Sequence, residues 1–129
     1  MNRTHFSSDY QKSRSYSPAV VTEGGRIVWL AGHLAAEDET GQSLAGDFDG
    51  QVHCVFRKLD ATLRDAGGTL ADIVTMTVYI VDVSNNTRMV ELRKEFFPED
   101  AYPASTLVTV AALNRPELMV EISATAVIA

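Results

Sequence analysis

The stretch Ile73-Val74-Thr75-Met76-Thr77-Val78-Tyr79-Ile80-Val81 decides the fold, because it is the segment of this chain most typical of a β-strand. Alternate residues of a strand point to opposite faces of a sheet. Large or apolar side chains occupy both faces here: Val74, Met76, Val78 and Ile80 lie on one, and Ile73, Thr75, Tyr79 and Val81 on the other. Such a strand is predicted to lie inside a sheet that is covered on both sides.

Two helical patterns flank this strand and can cover one side of its sheet. The first begins at Asp47 and ends before Gly67-Gly68, and its apolar residues recur at helical spacing, at Val52, Val55, Phe56, Leu59, Leu63 and Ala66. A second helix is predicted from about Asn86 to Phe97, where Pro98 ends it.

Further strands are predicted before and after the helices. Ala19 to Val21 and Ile27 to Ala31 flank the turn signal Glu23-Gly24-Gly25 and are predicted to pair as a hairpin. Two C-terminal strands are predicted at about Ser105 to Val110 and Met119 to Ile128. The order β-β-α-β-α-β-β favours an α+β fold with two helices packed on one face of a mixed β-sheet. The other face needs a partner, and self-association around a symmetry axis would supply it.

Length, composition and charge indicate one small domain, residues 1–129, in the cytoplasm. The chain is 46% hydrophobic, and it has no run of about eighteen apolar residues that would span a membrane. A net charge of −6 with scattered Lys and Arg opposes binding to nucleic acid or anionic lipid. The polar stretch Met1 to Tyr16 has no apolar core of a secretory signal. No cofactor is expected, and His5, His53 and Cys54 lack metal-ligand spacing.

Several ordered motifs resemble the RidA/YjgF family. Two lie near the C-terminus, Tyr102-Pro103-Ala104-Ser105-Thr106-Leu107 and Met119-Val120-Glu121-Ile122-Ser123-Ala124-Thr125-Ala126-Val127; the earlier ones are Tyr16-Ser17-Pro18-Ala19-Val20, Ala31-Gly32-His33, residues 65–74 and Phe96-Phe97-Pro98. The resemblance implies a RidA/chorismate-mutase-like homotrimer with ligand clefts between subunits. Typical family members hydrolyse reactive enamines and imines to carbonyl compounds and ammonia, so the resemblance implies a related activity.

Carried over residue by residue, the family's ligand pocket falls on Tyr16, Ala31, Val90, Ser105, Leu107 and Glu121. Tyr16 and Glu121 match the family, in which the glutamate helps to place the attacking water. Ser105 stands where the family's deaminases carry an arginine that binds a substrate carboxylate. Leu107, Ala31 and Val90 stand where a cysteine, a serine and an asparagine are common. The pocket is therefore predicted to be less polar, and to bind amino-acid-derived imines more weakly by about tenfold to a hundredfold or more.

His33 and Thr106 are further candidates for the same pocket. His33 lies in phase with Ala31, so it would come near Glu121 if the strand stays regular. Its imidazole can exchange protons at neutral pH, and the hydroxyls of Ser105 and Thr106 can hydrogen-bond a neutral polar group. The alternative for His33 is a side chain satisfied by nearby backbone, and the alternative for Tyr16 is a ring packed at a subunit edge.

Three functions are compatible with these residues. The first is a hydrolase of the enamine/imine deaminase type with an altered substrate, in which Glu121 and His33 are catalytic. The second is a non-catalytic trimer that binds or senses a small molecule. The third is a stress-related protein that holds unfolded clients, for which the sequence offers no specific sign. Glu121 favours the first, because an acid in an apolar strand is unusual without a function.

Overall fold

The computed structural model describes residues 1–129, which form six strands and three α-helices. The elements in chain order are β1 (Asn2–Phe6), α1 (Asp9–Ser13), β2 (Ala19–Glu23), β3 (Arg26–His33), α2 (Phe48–Asp65), β4 (Ile73–Ile80), α3 (Asn86–Arg93), β5 (Ala104–Thr109) and β6 (Val120–Ile128). None of the helices is both long and apolar enough to span a membrane.

The main sheet has four strands in the order β3-β6-β4-β5. β4 and β5 run parallel, whereas β6 is antiparallel to both β3 and β4. Buried residues of α2 and α3 join those of the sheet in one apolar cluster. The predicted α+β fold, with two helices on one face of a mixed sheet, is confirmed.

Local signals place α2 where the sequence predicted it. The Asp47 side chain accepts a hydrogen bond from the backbone N–H of Gly50 at 2.9 Å, which satisfies a donor at the start of the helix. The apolar stripe of the helix is buried, including Val52, Phe56 and Leu59 at 0% exposure. Gly67 follows with a φ of 94°, a left-handed conformation that ends helices and favours glycine.

The N-terminal region differs from the prediction. The hairpin between Ala19 to Val21 and Ile27 to Ala31 is wrong, because β2 pairs with β1 and β3 pairs with β6. β1 has no apolar pattern that would have indicated a strand. Arg3 connects β1 to residues outside the β1–β2 pair, because its guanidinium donates hydrogen bonds to the carbonyl oxygens of Ala71 and Val127, both at 2.8 Å.

The face of the main sheet opposite the helices, called the open face below, is less apolar on β4 than predicted. The pairing register with β6 shifts between Ile73 and Thr75, so Ile73 is buried and the open face of β4 carries Thr75, Thr77 and Tyr79. The most exposed large apolar side chains on this face belong to β3, where Ile27 is 55% and Trp29 78% exposed; Val108 of β5, which pairs with Tyr79, is 38% exposed.

Helix α3, the second helix predicted from the sequence, is shorter than predicted and ends at Arg93 rather than Phe97. The next three residues form tighter turns, in which each backbone N–H bonds the carbonyl three residues earlier, from Lys94 to Glu91 through Phe96 to Arg93.

Candidate functional site

Strand register divides the predicted pocket residues between the two faces of the sheet. Ser105 pairs with Met76 and Leu107 with Val78, and these two partners are buried beneath the helices. Glu121 pairs instead with Tyr79 on the open face, and Thr106 pairs with Thr77 there. Because neighbouring residues on paired strands share a face, one chain presents two separate clefts.

The first cleft, called the helix-side cleft, lies between α3 and β5 and has a volume of about 180 Å³. Its lining residues are Arg14, Tyr16, Asn86, Val90, Arg93, Ser105 and Leu107. The structure thus brings together four of the predicted ligand-binding residues, Tyr16, Val90, Ser105 and Leu107. Ala31 and Thr106 do not line this cleft.

Three residues of this cleft were not predicted from the sequence, Arg14, Asn86 and Arg93, and Arg93 is the most buried of them. Its side chain is buried, with 2% of the residue exposed. Nε donates to Ser15 Oγ at 3.0 Å, Nη1 to Ser105 Oγ at 2.5 Å, and Nη2 to the Arg14 carbonyl at 3.2 Å. The hydroxyl of Ser105 therefore contacts a guanidinium, although Ser105 itself carries no charge.

The helix-side cleft is strongly positive. Burial lowers the pKa of Arg93 to about 10, and the charge of Arg14 lowers it as well, so the guanidinium remains charged at neutral pH. Neither Arg14 nor Arg93 takes part in any ion pair of the chain. The predicted loss of polarity rests on Ala31, Val90, Ser105 and Leu107, and the two arginines at other positions of the cleft add charge that this prediction does not include. The signal was available: Arg93 follows Val90 by three residues and so lies on the same helix face.

The second cleft, called the sheet-side cleft, contains Glu121. It has a volume of about 410 Å³ and is lined by Gly32, Tyr79, Val110, Ala112, Leu113, Glu121 and Ser123. The Glu121 side chain is half-buried. It makes no hydrogen bond or ion pair with another side chain. A Cβ atom at Gly32 would lie 1.8 Å from Glu121 Oε2, so the carboxylate occupies the space left by the glycine. Its oxygens can accept hydrogen bonds from a water or a ligand.

His33 does not approach Glu121. Its Nδ1 lies 2.7 Å from the carbonyl oxygen of Ala31, and its Nε2 lies 2.9 Å from Thr62 Oγ1 on α2. The expected pairing is wrong because the register of β3 against β6 shifts between Leu30 and His33, which breaks the alternation on which it depended. The geometry favours the alternative, in which nearby groups satisfy the ring.

The potential metal ligands and the one cysteine of the chain lie outside the two clefts described above, except for Glu121. No group of three or more His, Cys, Asp and Glu side chains is arranged to hold a metal ion. Cys54 is buried, and burial raises the pKa of its thiol, which disfavours the reactive thiolate form.

The chain belongs to the RidA/YjgF family. The family model described as "Endoribonuclease L-PSP" matches residues 7–128. A RutC family protein of Pyrococcus abyssi is 33% identical over 111 residues, which cover 86% of this chain and 84% of the relative. A solved structure of a Rid family protein of unknown function from Yersinia pestis is 30% identical, has a TM-score of 0.86, and covers 99% of this chain and 100% of its own. A member of the YjgF/YER057c/UK114 family from Mycobacterium tuberculosis is 31% identical with a TM-score of 0.69, over 98% of this chain and 100% of its own.

Proposed function

We propose that the protein is a homotrimeric hydrolase of the enamine/imine deaminase type, which acts on a C–N bond of a small molecule. The observation that carries the proposal is Glu121, a carboxylate without a hydrogen-bond or ion-pair partner in a cleft large enough for a small ligand. An acid in such a position is costly to bury unless a polar ligand or water meets it. Membership of the family supports the same reaction class.

Glu121 supplies the chemistry that imine hydrolysis needs. Water adds its oxygen to the carbon of the protonated C=N bond while the Glu121 carboxylate accepts a proton from that water. The resulting neutral carbinolamine then loses its nitrogen: the carboxyl returns the proton to nitrogen, the C–N bond breaks and ammonia leaves, and the regenerated carboxylate accepts the hydroxyl proton as the carbonyl forms. An enamine enters the same sequence after solvent adds a proton to its carbon, which gives the protonated imine.

The site requires a neighbouring subunit, because Glu121 and the helix-side cleft lie on opposite faces of one sheet. We propose that the open face of one subunit packs against the helix-side cleft of the next, so that Glu121 meets Tyr16 and Ser105 across the interface. The exposure of Trp29, 78%, and Ile27, 55%, supports such packing, since association would remove their apolar surface from water.

The substrate is proposed to differ from those of family members that carry an arginine at the position of Ser105. Here β5 contributes a hydroxyl, and the walls contributed by Val90 and Leu107 are apolar. We also propose a cytoplasmic location without a nucleic-acid or membrane partner. The net charge of −6 supports this, because it opposes attraction to phosphate groups.

The second candidate is a non-catalytic trimer that binds or senses a small molecule. One observation favours it: no other titratable side chain lies within hydrogen-bond distance of Glu121. Glu121 therefore has no neighbouring side chain to which it could pass a proton. His33, the expected partner, bonds Ala31 and Thr62 instead.

Ammonia release from imines tests the two candidates. An amino-acid oxidase generates 2-imino acids of different side-chain length in the presence of the protein, and ammonia is measured against the spontaneous rate. The hydrolase proposal predicts acceleration for at least one imine, and a loss of about a hundredfold to ten-thousandfold in Glu121→Gln. Glu23→Gln, an exposed position on β2, is the matched control and should keep full activity. Spontaneous rates for every imine, with ligand binding retained, would instead support the binding protein.

A further inference from the structure

We propose that Arg93 on α3 binds an anionic group of the ligand and that Ser105 holds its guanidinium in position for this task. The ligand class is a small carboxylate. The inference rests on the proposed function only in taking the helix-side cleft as part of the ligand site, and it assigns Arg93 as a specificity-determining residue.

The burial of Arg93 without a counter-ion is the first argument. Five other arginines of the chain pair with carboxylates, namely Arg3, Arg57, Arg64, Arg88 and Arg115. Arg93 is more buried than any of these, yet its contacts are neutral oxygens. A buried charge is costly unless it is paired. A ligand carboxylate in the cleft would supply the missing negative charge.

The free donors of the guanidinium are the second argument. A guanidinium has five N–H donors. The three hydrogen bonds of Arg93 use one from each nitrogen, so one N–H remains on Nη1 and one on Nη2. These two terminal nitrogens are the pair that grips a carboxylate in a bidentate manner. Arg93 also lines the helix-side cleft, which gives a ligand access to it.

The surroundings of Arg93 hold the guanidinium from several sides. Ser15 is fully buried and has a φ of 58°, a left-handed conformation that costs energy for a residue other than glycine. Its hydroxyl accepts from Arg93 Nε and donates to the carbonyl of Val90 at 2.7 Å. Ser105 fixes Nη1 from the strand side. The local backbone therefore accepts strain in a geometry that orients the charged group.

Arg14 adds a second positive charge at the same cleft. Its Nη2 donates to Asn86 Oδ1 at 3.2 Å, and it has no carboxylate partner. Two guanidiniums in a cleft of about 180 Å³ raise the local concentration of small anions and disfavour cationic ligands.

Calorimetric binding of matched charged and neutral probes tests the proposal on the assembled wild-type protein. The probes are pyruvate and 2-oxobutanoate, and their uncharged amides. We expect the acids to bind at least about tenfold more tightly than the amides, the difference made by a charge-assisted hydrogen-bond pair. Equal affinity for acid and amide, or no binding of either acid, would overturn the proposal without any variant.

Single substitutions test whether the preference for acids over amides depends on Arg93. Arg93→Met should weaken binding of the acids by about tenfold to a hundredfold and abolish their advantage over the amides. Arg93→Lys should keep part of that advantage, since it retains the charge but loses the planar fork. Ser105→Ala should weaken acid binding by a smaller factor. Arg88→Met is the matched control, because Arg88 lies on the same helix with an exposed side chain paired to Asp49, and it should bind like the wild type.

The outcomes separate this inference from the proposed hydrolase. Acid-selective binding that depends on Arg93, without ammonia release, supports Arg93 and contradicts the hydrolase. Ammonia release and acid binding that are both unchanged in a folded Arg93→Met variant contradict the role of Arg93 and leave the hydrolase standing.

Discussion

Gly32→Ala is a small substitution with a large predicted effect on turnover. The added Cβ atom would lie 1.8 Å from Glu121 Oε2 and 2.8 Å from its Cδ, whereas ordinary contacts begin at 3.4 Å. Gly32 does not have a positive φ, so alanine fits the backbone itself. The carboxylate must therefore move. Since a displacement of about 1 Å in a catalytic group can cost about a hundredfold in rate, kcat/KM for imine hydrolysis should fall by about that factor.

Stability should change little in the same variant. The clash involves the flexible end of a glutamate that can turn toward solvent, and replacing glycine with alanine reduces the conformational freedom of the unfolded chain. We expect the free energy of unfolding to change by less than about 1 kcal/mol. Ammonia release gives the rate, and chemical denaturation followed by circular dichroism gives the stability.

A double variant tests whether Gly32 acts through Glu121. If it does, Gly32→Ala should cause no further loss in a Glu121→Gln background, because the two changes disable the same group. Unchanged turnover in Gly32→Ala, or losses that multiply in the double variant, would refute the reasoning.

Three further substitutions test other parts of the account. Trp29→Asp should dissociate the proposed trimer, because burying an unpaired charge at the open face costs several kcal/mol; a trimer of unchanged stability in analytical ultracentrifugation would contradict it. His33→Asn should lower the melting temperature and reduce turnover by less than about tenfold, since the ring bonds Ala31 and Thr62 rather than Glu121; a loss as large as that of Glu121→Gln would restore His33 as a catalytic residue. Leu59→Ala removes a side chain of 0% exposure from the core and should cost about 2 to 5 kcal/mol of unfolding free energy, measured by denaturant titration.

The parts of the fold with strong periodicity were predictable from the sequence. α2 combines an N-terminal cap at Asp47, a long apolar stripe and a terminal glycine, and these local signals agree with its tertiary environment. β1 was missed because its residues lack apolar alternation and its attachment depends on Arg3, whose partners lie far away in the chain. The pairing of β2 with β1 rather than β3 follows from that unseen strand.

The site was predictable only in part. Motif positions grouped Tyr16, Val90 and Ser105, and these three residues line one cleft in the structure. They missed the charge of that cleft, although the spacing of Val90 and Arg93 places both on one helix face. The contact of Arg93 with Ser105 joins α3 to β5, and that tertiary contact carries no sequence signal. His33 was misplaced for a local reason: a register shift of one strand changes which face a side chain reaches, and the sequence of β3 carries no clear sign of it.

A crystal structure of the assembled protein with bound pyruvate tests the central claim most directly. The account predicts a trimer in which the carboxylate of pyruvate lies at hydrogen-bond distance, about 2.7 to 2.9 Å, from the terminal nitrogens of Arg93. Its keto carbon should face Glu121 of a neighbouring subunit, with a water between them. Pyruvate bound away from Arg93, or subunits arranged so that Glu121 faces solvent far from the helix-side cleft, would contradict the account.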